Sequence, residues 1–250
     1  MNRNIKLILE YDGTNYHGWQ SQMGSGMPTI QDMLEQALKT LTSETIKTVS
    51  SGRTDAGVHA LGHVVSFKSG YRIPEAAWVP ALNHCLPDDI RVLTSQEVPD
   101  DFHARFSAGG KIYCYKILNR QMPSALYRNF AWHVNKRLNL RKMRSAATCL
   151  VGKHDFSAFR SSACQAKTPV RTLTTLRIKK SREFVEFFLE ADAFLMHMAR
   201  NIVGTLVEVG LGRYEPDDVK RMLLSKSKRT AGRTAPARGL YLMEVHYQKK

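Results

Sequence analysis

The chain has 250 residues, of which 43% are hydrophobic and 24% charged, which is enough apolar sequence for one large domain or two small ones. No apolar run approaches the roughly 20 residues of a membrane span, so we expect no membrane association. The net charge of +15 favours a polyanionic partner such as nucleic acid.

The first half of the chain alternates between strand and helix patterns. Alternating apolar residues predict a strand over residues 5–11. Thr29 and Asp32 have the spacing of a helix N-terminus, and apolar residues follow at helical intervals up to Leu41. Strand-like runs follow at 45–50 and 62–68. A helix is then predicted from Pro74 to about Cys85, with proline in its first turn, and a strand over 90–98.

This β-α-β-β-α-β order is that of a ferredoxin-like unit, and the second half has a similar order. Its predicted strands cover residues 111–118, 170–180, 184–191 and 240–247, with a short apolar run at 130–134. Its predicted helices cover 140–150, 194–209 and 216–224. We therefore predict an α+β fold of two ferredoxin-like halves, residues 1–108 and 109–250.

Cofactor and metal motifs are missing from the sequence. The four cysteines form no CxxC pair, which disfavours a disulfide framework or a zinc ribbon. His59 and His63 have a ligand spacing only if they lie on a helix, and their stretch shows no helical pattern. Neither GxxxxGK[ST] nor GxGxxG after a strand occurs, so we expect no cofactor and no metal. The N-terminus has no signal-peptide pattern, and we expect a cytoplasmic protein.

Positive charge is concentrated in two segments. Residues 102–182 contain 18 lysines and arginines and a single acidic residue, Asp155. Residues 219–243 contain seven basic residues and none that is acidic. This distribution favours an RNA or DNA partner, and the alternative is a solvated basic surface.

A short loop contains most of the reactive residue types. Gly52 and Gly57 flank the sequence Arg53-Thr54-Asp55, and glycine permits tight turns and close backbone approach. The alternative interpretation is a structural turn that Asp55 caps.

This loop resembles the signature of the tRNA pseudouridine synthase A family, and the resemblance extends over nearly the whole chain. The motif Gly-Arg-Thr-Asp-Ala-Gly-Val-His-Ala is present without a departure. Ala199 departs from the family, which often has valine there. The other segments that carry the resemblance are Tyr11-Asp12-Gly13-Thr14 with Gly18 and Gln20, Ala81-Leu82-Asn83, Leu86-Pro87, Phe102-His103-Ala104-Arg105-Phe106-Ser107-Ala108, Lys111-Ile112-Tyr113-Cys114-Tyr115, Gly152-Lys153-His154-Asp155-Phe156, Phe194-Leu195, Met198-Ala199-Arg200-Asn201 and Ala237-Arg238-Gly239-Leu240.

The resemblance implies an isomerase that converts uridine to pseudouridine in the anticodon stem-loop of tRNA, at tRNA positions 38, 39 and 40. It implies a homodimer and a mostly antiparallel sheet with helices on one side and a basic cleft on the other. Asp55 is then the nucleophile or base, which could attack the ribose carbon, attack the base or remove a sugar proton.

The resemblance also assigns roles to further residues. Tyr113 stacks on the target base, Arg53 assists base extrusion, and Arg200 lies beside Asp55. Further RNA contacts are expected in the first half and the cationic segments, at Arg105, Arg160, Arg238, Lys226, Lys228 and Arg229. His59 and Asp155 are expected to be structural supports.

Two other functions remain open from the sequence alone. A non-catalytic RNA-binding module would explain RRM-like halves, strand tyrosines and basic segments, but not the Arg-Thr-Asp loop. A hydrolase could use Asp55 to cleave the N-glycosidic bond, although glycoside hydrolases usually have two carboxylates in the site.

Overall fold

The computed structural model describes residues 2–21, 26–227 and 231–247. Their secondary structure confirms the α+β class, with strands that pair mostly antiparallel. The α-helices in these ranges are α1 (Ile30–Thr42), α2 (Trp78–Cys85), α3 (Leu140–Ala147), α4 (Met198–Gly210) and α5 (Pro216–Ser225). The strands are β1 (Arg3–Tyr11), β2 (Val49–Ser50), β3 (His59–Ser69), β4 (Ile90–Val98), β5 (Ala108–Leu118), β6 (Trp132–His133), β7 (Gly152–Asp155), β8 (Val170–Ser181), β9 (Phe184–Ala191) and β10 (Leu240–Tyr247).

The chain forms two compact units. Unit 1 consists of Met1–Gly109 together with Leu242–Lys250, and unit 2 consists of Gly110–Tyr241. The chain therefore returns to unit 1 after completing unit 2. The division into two ferredoxin-like halves at residue 108 stays a prediction.

In unit 1 the strands are ordered β4-β1-β3-β10, and β2 pairs with β3. Strand β1 is antiparallel to both β3 and β4, and its residues Ile5, Leu7 and Leu9 are buried. Helix α1 buries Ile30, Leu34 and Leu38, which lie four residues apart on one face. The buried residues of unit 1 thus recur every second position in β1 and every fourth position in α1, as the apolar pattern of the sequence predicts.

The start of α1 is capped as the sequence predicts. The Thr29 side chain accepts a hydrogen bond from the Asp32 N–H at 3.2 Å and donates its hydroxyl to Asp32 Oδ2 at 2.6 Å. Two polar groups at the helix end are thereby satisfied. The helix position matters for function because the segment before it, residues 12–20, contacts the Asp55 loop.

In unit 2 the strands are ordered β5-β9-β8-β7, and β6 runs parallel to β5. On β9 the residues Val185, Phe187 and Leu189 are fully buried and alternate with half-exposed ones. Helix α4 is buried along almost its whole length, and α3 packs against both α4 and α5. None of the helices in the described part of the chain has the length and apolarity of a membrane span.

Two predicted helix starts are wrong. Pro74 precedes a 3-10 turn, Glu75–Ala77, and the α-helix begins only at Trp78. This start places Pro80 in the first turn of α2, where its missing N–H breaks no helical hydrogen bond. Helix α4 begins at Met198 rather than at residue 194, because His197 has a left-handed backbone with φ of 63°.

Two strand predictions also need correction. Only Val49–Ser50 of the run 45–50 pairs as a strand, against Ser66 and Val65 of β3. The short strand β7 lies in Gly152–Asp155, for which the sequence predicts no strand. Four polar or small residues give no local strand pattern, and β7 forms through its pairing with β8.

Candidate active site

Asp55 lies in the loop between β2 and β3, in unit 1. Asp55 is partly exposed and Arg53 is exposed, whereas the neighbouring residues Thr54 and Val58 are buried. The Val58 N–H donates to the Asp55 carbonyl oxygen at 3.1 Å, and Gly57 has a positive φ of 76°. The loop is thus a closed turn that leaves the Asp55 residue accessible.

The segment 12–20 holds this loop through its backbone. The Trp19 N–H donates to the Thr54 carbonyl oxygen at 3.1 Å. A Cβ at position 13 would lie 2.0 Å from the Val58 carbonyl oxygen, and one at position 18 would lie 2.4 Å from that of Thr54. Only glycine allows both approaches, and Gly18 also has a φ of 79°. Gly13 and Gly18 therefore allow the segment 12–20 to pack closely against the Asp55 loop.

A buried hydrogen-bonded chain reaches the loop from the sheet. The Tyr11 hydroxyl is 2.8 Å from Thr54 Oγ1 and 3.1 Å from His63 Nδ1. The His63 ring stacks on Trp19, with ring centroids 4.3 Å apart and an interplanar angle of 13°. His63 is therefore part of the protein interior that surrounds the loop.

His59 is the second histidine of this region, and its ring is also buried. Its Nδ1 lies 3.1 Å from both the Gly13 nitrogen and Asp12 Oδ1. Because Asp12 Oδ1 already accepts the Thr14 N–H and hydroxyl, we interpret Nδ1 as the acceptor of the Gly13 N–H. Within the ranges that the structure describes, no group of three or more histidine, cysteine or acidic side chains could hold a metal ion.

The other predicted catalytic residues lie in unit 2. Tyr113 is on β5 with 8% of its surface exposed, and its ring meets that of Phe194 edge-on at 4.8 Å. Arg200 is in the first turn of α4, partly exposed, and its Nε donates to the Ala235 carbonyl oxygen at 2.8 Å. Phe194 precedes α4, which begins at Met198.

The hydroxyl end of Tyr115 on β5 contacts the segment that precedes β10. This hydroxyl donates to the Pro236 carbonyl oxygen at 2.7 Å. Burial raises the pKa of Tyr115 well above its usual range, and the positive charges of Arg200, Arg238 and Arg233 oppose that shift. Tyr115 is thus a buried phenol that stays neutral in the interior of unit 2.

The segment 231–239 is fastened to α4. The Ala235 N–H donates to the Arg200 carbonyl oxygen at 3.1 Å, and the Thr234 hydroxyl donates to Asn201 Oδ1 at 2.6 Å. A Cβ at position 204 would lie 1.8 Å from the Arg233 carbonyl oxygen, so Gly204 is needed for the contact. Helix α4 therefore positions both Arg200 and the segment that leads to Arg238.

The predicted RNA contacts are distributed over both units. Arg105 of unit 1 is exposed, with its guanidinium 5.7 Å from the Phe106 ring centre. In unit 2, Arg160 is partly exposed and Arg238 is exposed, while Lys226 pairs with Asp155 at 3.5 Å. Lys228 and Arg229 lie outside the described residues. Asp155 also accepts the Ser157 N–H at 2.9 Å.

Comparison with known proteins places the chain in a family. A family model described as tRNA pseudouridine synthase matches residues 7–107 and 146–248. A protein of Acetivibrio thermocellus named tRNA pseudouridine synthase A is 51% identical over 98% of this chain and 100% of its own length. A Clostridium tetani protein named tRNA pseudouridine synthase A 2 is 48% identical over 99% and 100%, and a Rhodospirillum centenum protein named tRNA pseudouridine synthase A is 47% identical over 97% and 98%.

The chain belongs to the tRNA pseudouridine synthase family. The family resemblance of the sequence is confirmed, and so is the prediction of an isomerase of this family that makes pseudouridine. The roles of individual residues stay predictions. The sequence does not indicate the Tyr11–Thr54–His63 chain, because its members are far apart in sequence and nothing local marks them as partners.

Proposed function

We propose that the protein converts uridine to pseudouridine at positions 38, 39 and 40 of the anticodon stem-loop of tRNA, with Asp55 as the nucleophile or base. The observation that carries the proposal is the placement of Asp55. Its loop is fixed by backbone contacts to Gly13 and Gly18, yet the residue stays partly exposed. Rigid placement of an accessible carboxylate is what a catalytic group needs.

The reaction rearranges one nucleotide. The bond between N1 and the sugar carbon C1′ breaks, a bond between C5 and C1′ forms, C5 loses a proton and N1 gains one. No group is added and no electron is transferred, so the balance requires no cofactor. Asp55 can act by attack on C1′, by attack on the base or by removal of a sugar proton.

Other residues have supporting roles in this proposal. We propose that the nearly buried Tyr113 contacts the target base and that its phenol helps to move the C5 proton. Exposed Arg53 occupies the space of the extruded base while the uridine is in the site. Arg200 is the remaining proposed catalytic residue, and it contributes a positive charge.

Basic residues hold the RNA through its phosphates. The proposed contacts are Arg105, Arg160, Arg238 and Lys226, with Lys228 and Arg229 added from the sequence. We further propose that the fold consists of two ferredoxin-like halves, 1–108 and 109–250, and that it presents a basic cleft to the tRNA. The protein then works in the cytoplasm as a homodimer that binds tRNA through both subunits. Support comes from the cationic segments and from full-length relatives named for tRNA modification.

The test compares Asp55→Asn with Asp100→Asn, which changes a carboxylate that is 78% exposed and pairs with Lys68. Pseudouridine is mapped in a transcribed tRNA, and binding and thermal unfolding are measured alongside. Asp55→Asn should lower turnover by roughly 10⁴ or more, as losses at essential groups do, with tRNA affinity retained. Asp100→Asn should behave as wild type.

Three results would overturn the proposal. Near wild-type turnover by Asp55→Asn would make Asp55 a loop cap and would assign the catalysis to another residue. Pseudouridine outside positions 38–40, with those positions unmodified, would remove those three positions from the proposal. Release of free uracil would instead support the hydrolase alternative.

A further inference from the structure

Three polar side chains meet in the interior of unit 1 behind the Asp55 loop. Tyr11, at the end of β1, is 2% exposed, Thr54 is 7% exposed and His63 is 0% exposed. The Tyr11 hydroxyl lies 2.8 Å from Thr54 Oγ1 and 3.1 Å from His63 Nδ1, so one phenol connects the sheet to the loop. Thr54 directly precedes Asp55 in the chain.

Stability does not require polar groups at these places. Buried hydroxyl and imidazole groups cost free energy unless they are hydrogen-bonded, and apolar side chains of similar size would fill the space without partners. The hydrogen bonds do supply direction. A threonine has a stiff χ1 angle, so a bond to its Oγ1 restricts the rotation of the residue about its backbone.

Thr54 is consequently fixed from two sides. Its carbonyl oxygen accepts the Trp19 N–H at 3.1 Å, and its side chain is bonded to Tyr11. Trp19 in turn stacks on His63, which shares the Tyr11 hydroxyl. The chain is closed on itself, so that Tyr11 reaches Thr54 directly through its hydroxyl and indirectly through His63 and Trp19.

We propose that Tyr11 is a positioning residue for the reaction, which orients the Asp55 carboxylate through Thr54, with His63 holding the phenol in place. This role rests on the proposed function of Asp55. It adds a specific requirement, namely that the hydroxyl of Tyr11 and not only its ring is needed for turnover. A displacement of about 1 Å at a catalytic group can cost a hundredfold in rate.

The first experiment removes hydroxyl groups while keeping shape. Tyr11→Phe should lower kcat by roughly 10- to 100-fold with little change in KM for tRNA, because phosphate contacts elsewhere set affinity. The matched control is Tyr241→Phe, which removes a hydroxyl that donates to the Phe130 carbonyl oxygen at 2.7 Å from a residue 7% exposed. This control should retain kcat.

The second experiment tests the route. Thr54→Val keeps the shape and removes the hydroxyl, and it should lower kcat as Tyr11→Phe does, while Thr54→Ser should retain most of the rate. The double variant Tyr11→Phe/Thr54→Val should be no slower than either single variant, because both remove the same link. The two Thr54 variants keep the proposal testable even if Tyr11→Phe fails to fold.

The outcomes separate this proposal from the assignment of Asp55. If Asp55→Asn is inactive while Tyr11→Phe has the wild-type kcat, Asp55 remains catalytic and the positioning role is overturned. Equal losses of kcat in Tyr11→Phe and Tyr241→Phe would also overturn it, since they would reflect general destabilisation. Multiplying losses in the double variant would show that Tyr11 does not act through Thr54.

Discussion

Gly18→Ala tests whether the segment 12–20 positions the Asp55 loop. The new methyl group would lie 2.4 Å from the Thr54 carbonyl oxygen, so the loop or the segment must move by about 1 Å to restore an ordinary contact. The φ of 79° adds about 1–2 kcal/mol for any residue with a Cβ. Loss of the hydrogen bond from Trp19 to Thr54 adds about 1 kcal/mol.

The expected loss in free energy of unfolding is therefore roughly 2–3 kcal/mol. Gly212→Ala is a close control, because Gly212 has a φ of 76° and a methyl group there would have no described atom within 4 Å beyond its chain neighbours. It should cost only the conformational part, about 1–2 kcal/mol, and leave turnover intact. Urea unfolding measures the free energy of unfolding, and pseudouridine formation at saturating tRNA measures kcat.

Gly18→Ala and Gly212→Ala should differ more in kcat than in free energy of unfolding. A shift of the loop by about 1 Å predicts a fall in kcat on the order of 100-fold for Gly18→Ala, under conditions where the variant is folded. The reasoning would be refuted if both variants lost the same stability and both kept their kcat. In that case the contact at Thr54 would be one that the loop can relax without displacing Asp55.

Three further predictions concern the rest of the molecule. Turnover on folded tRNA should be unchanged in a metal chelator, and activity that only added zinc or magnesium restored would contradict the cofactor-free balance. Lys226→Ala should weaken tRNA binding and reduce the slope of log affinity against log salt by about one, and an unchanged slope would assign the side chain to solvent. Burial opposes ionisation of Glu35, but hydrogen bonds from Thr48, Lys47 and Gln31 outweigh it and lower its pKa below the usual value. A group with a lowered folded-state pKa stabilises the fold above its unfolded pKa, and this contribution is lost as pH falls. Glu35→Gln should therefore destabilise at pH 7, by roughly 2 kcal/mol, and by less at pH 3, where more of the carboxyl group is protonated. An equal loss at both values would contradict this account.

The sequence predicts the elements whose signals are local. Strand β1 and helix α1 appear where alternation and the Thr29 cap place them, because each pattern is complete within its own segment. The predicted helix start at Pro74 is wrong because a proline can mark the start of a 3-10 turn as well as that of an α-helix. A 3-10 turn follows Pro74, and the α-helix begins only at Trp78, with Pro80 in its first turn. The early start of α4 is wrong because apolar content alone does not reveal the left-handed His197.

The site is predictable to a different degree. Asp55 and Arg53 can be identified from their motif, since the residue types are adjacent in the chain. The support of the loop cannot, because Tyr11 and Thr54 are 43 residues apart and Tyr11 and His63 are 52 apart. Their pairing follows from the register of β1 and β3, which brings Tyr11 opposite Ala60, and no local pattern encodes it.

The return of the chain to unit 1 has a consequence for its synthesis. Strand β3 pairs with β10, yet the 132 residues of Gly110–Tyr241 are translated between the two parts of unit 1. At ordinary translation rates this interval lasts on the order of ten seconds. During that time part of the β3 edge has no strand beside it, and such edges pair readily with other chains. The nascent protein is thus most exposed to misassembly midway through translation, and it is a later segment of the chain that ends this exposure.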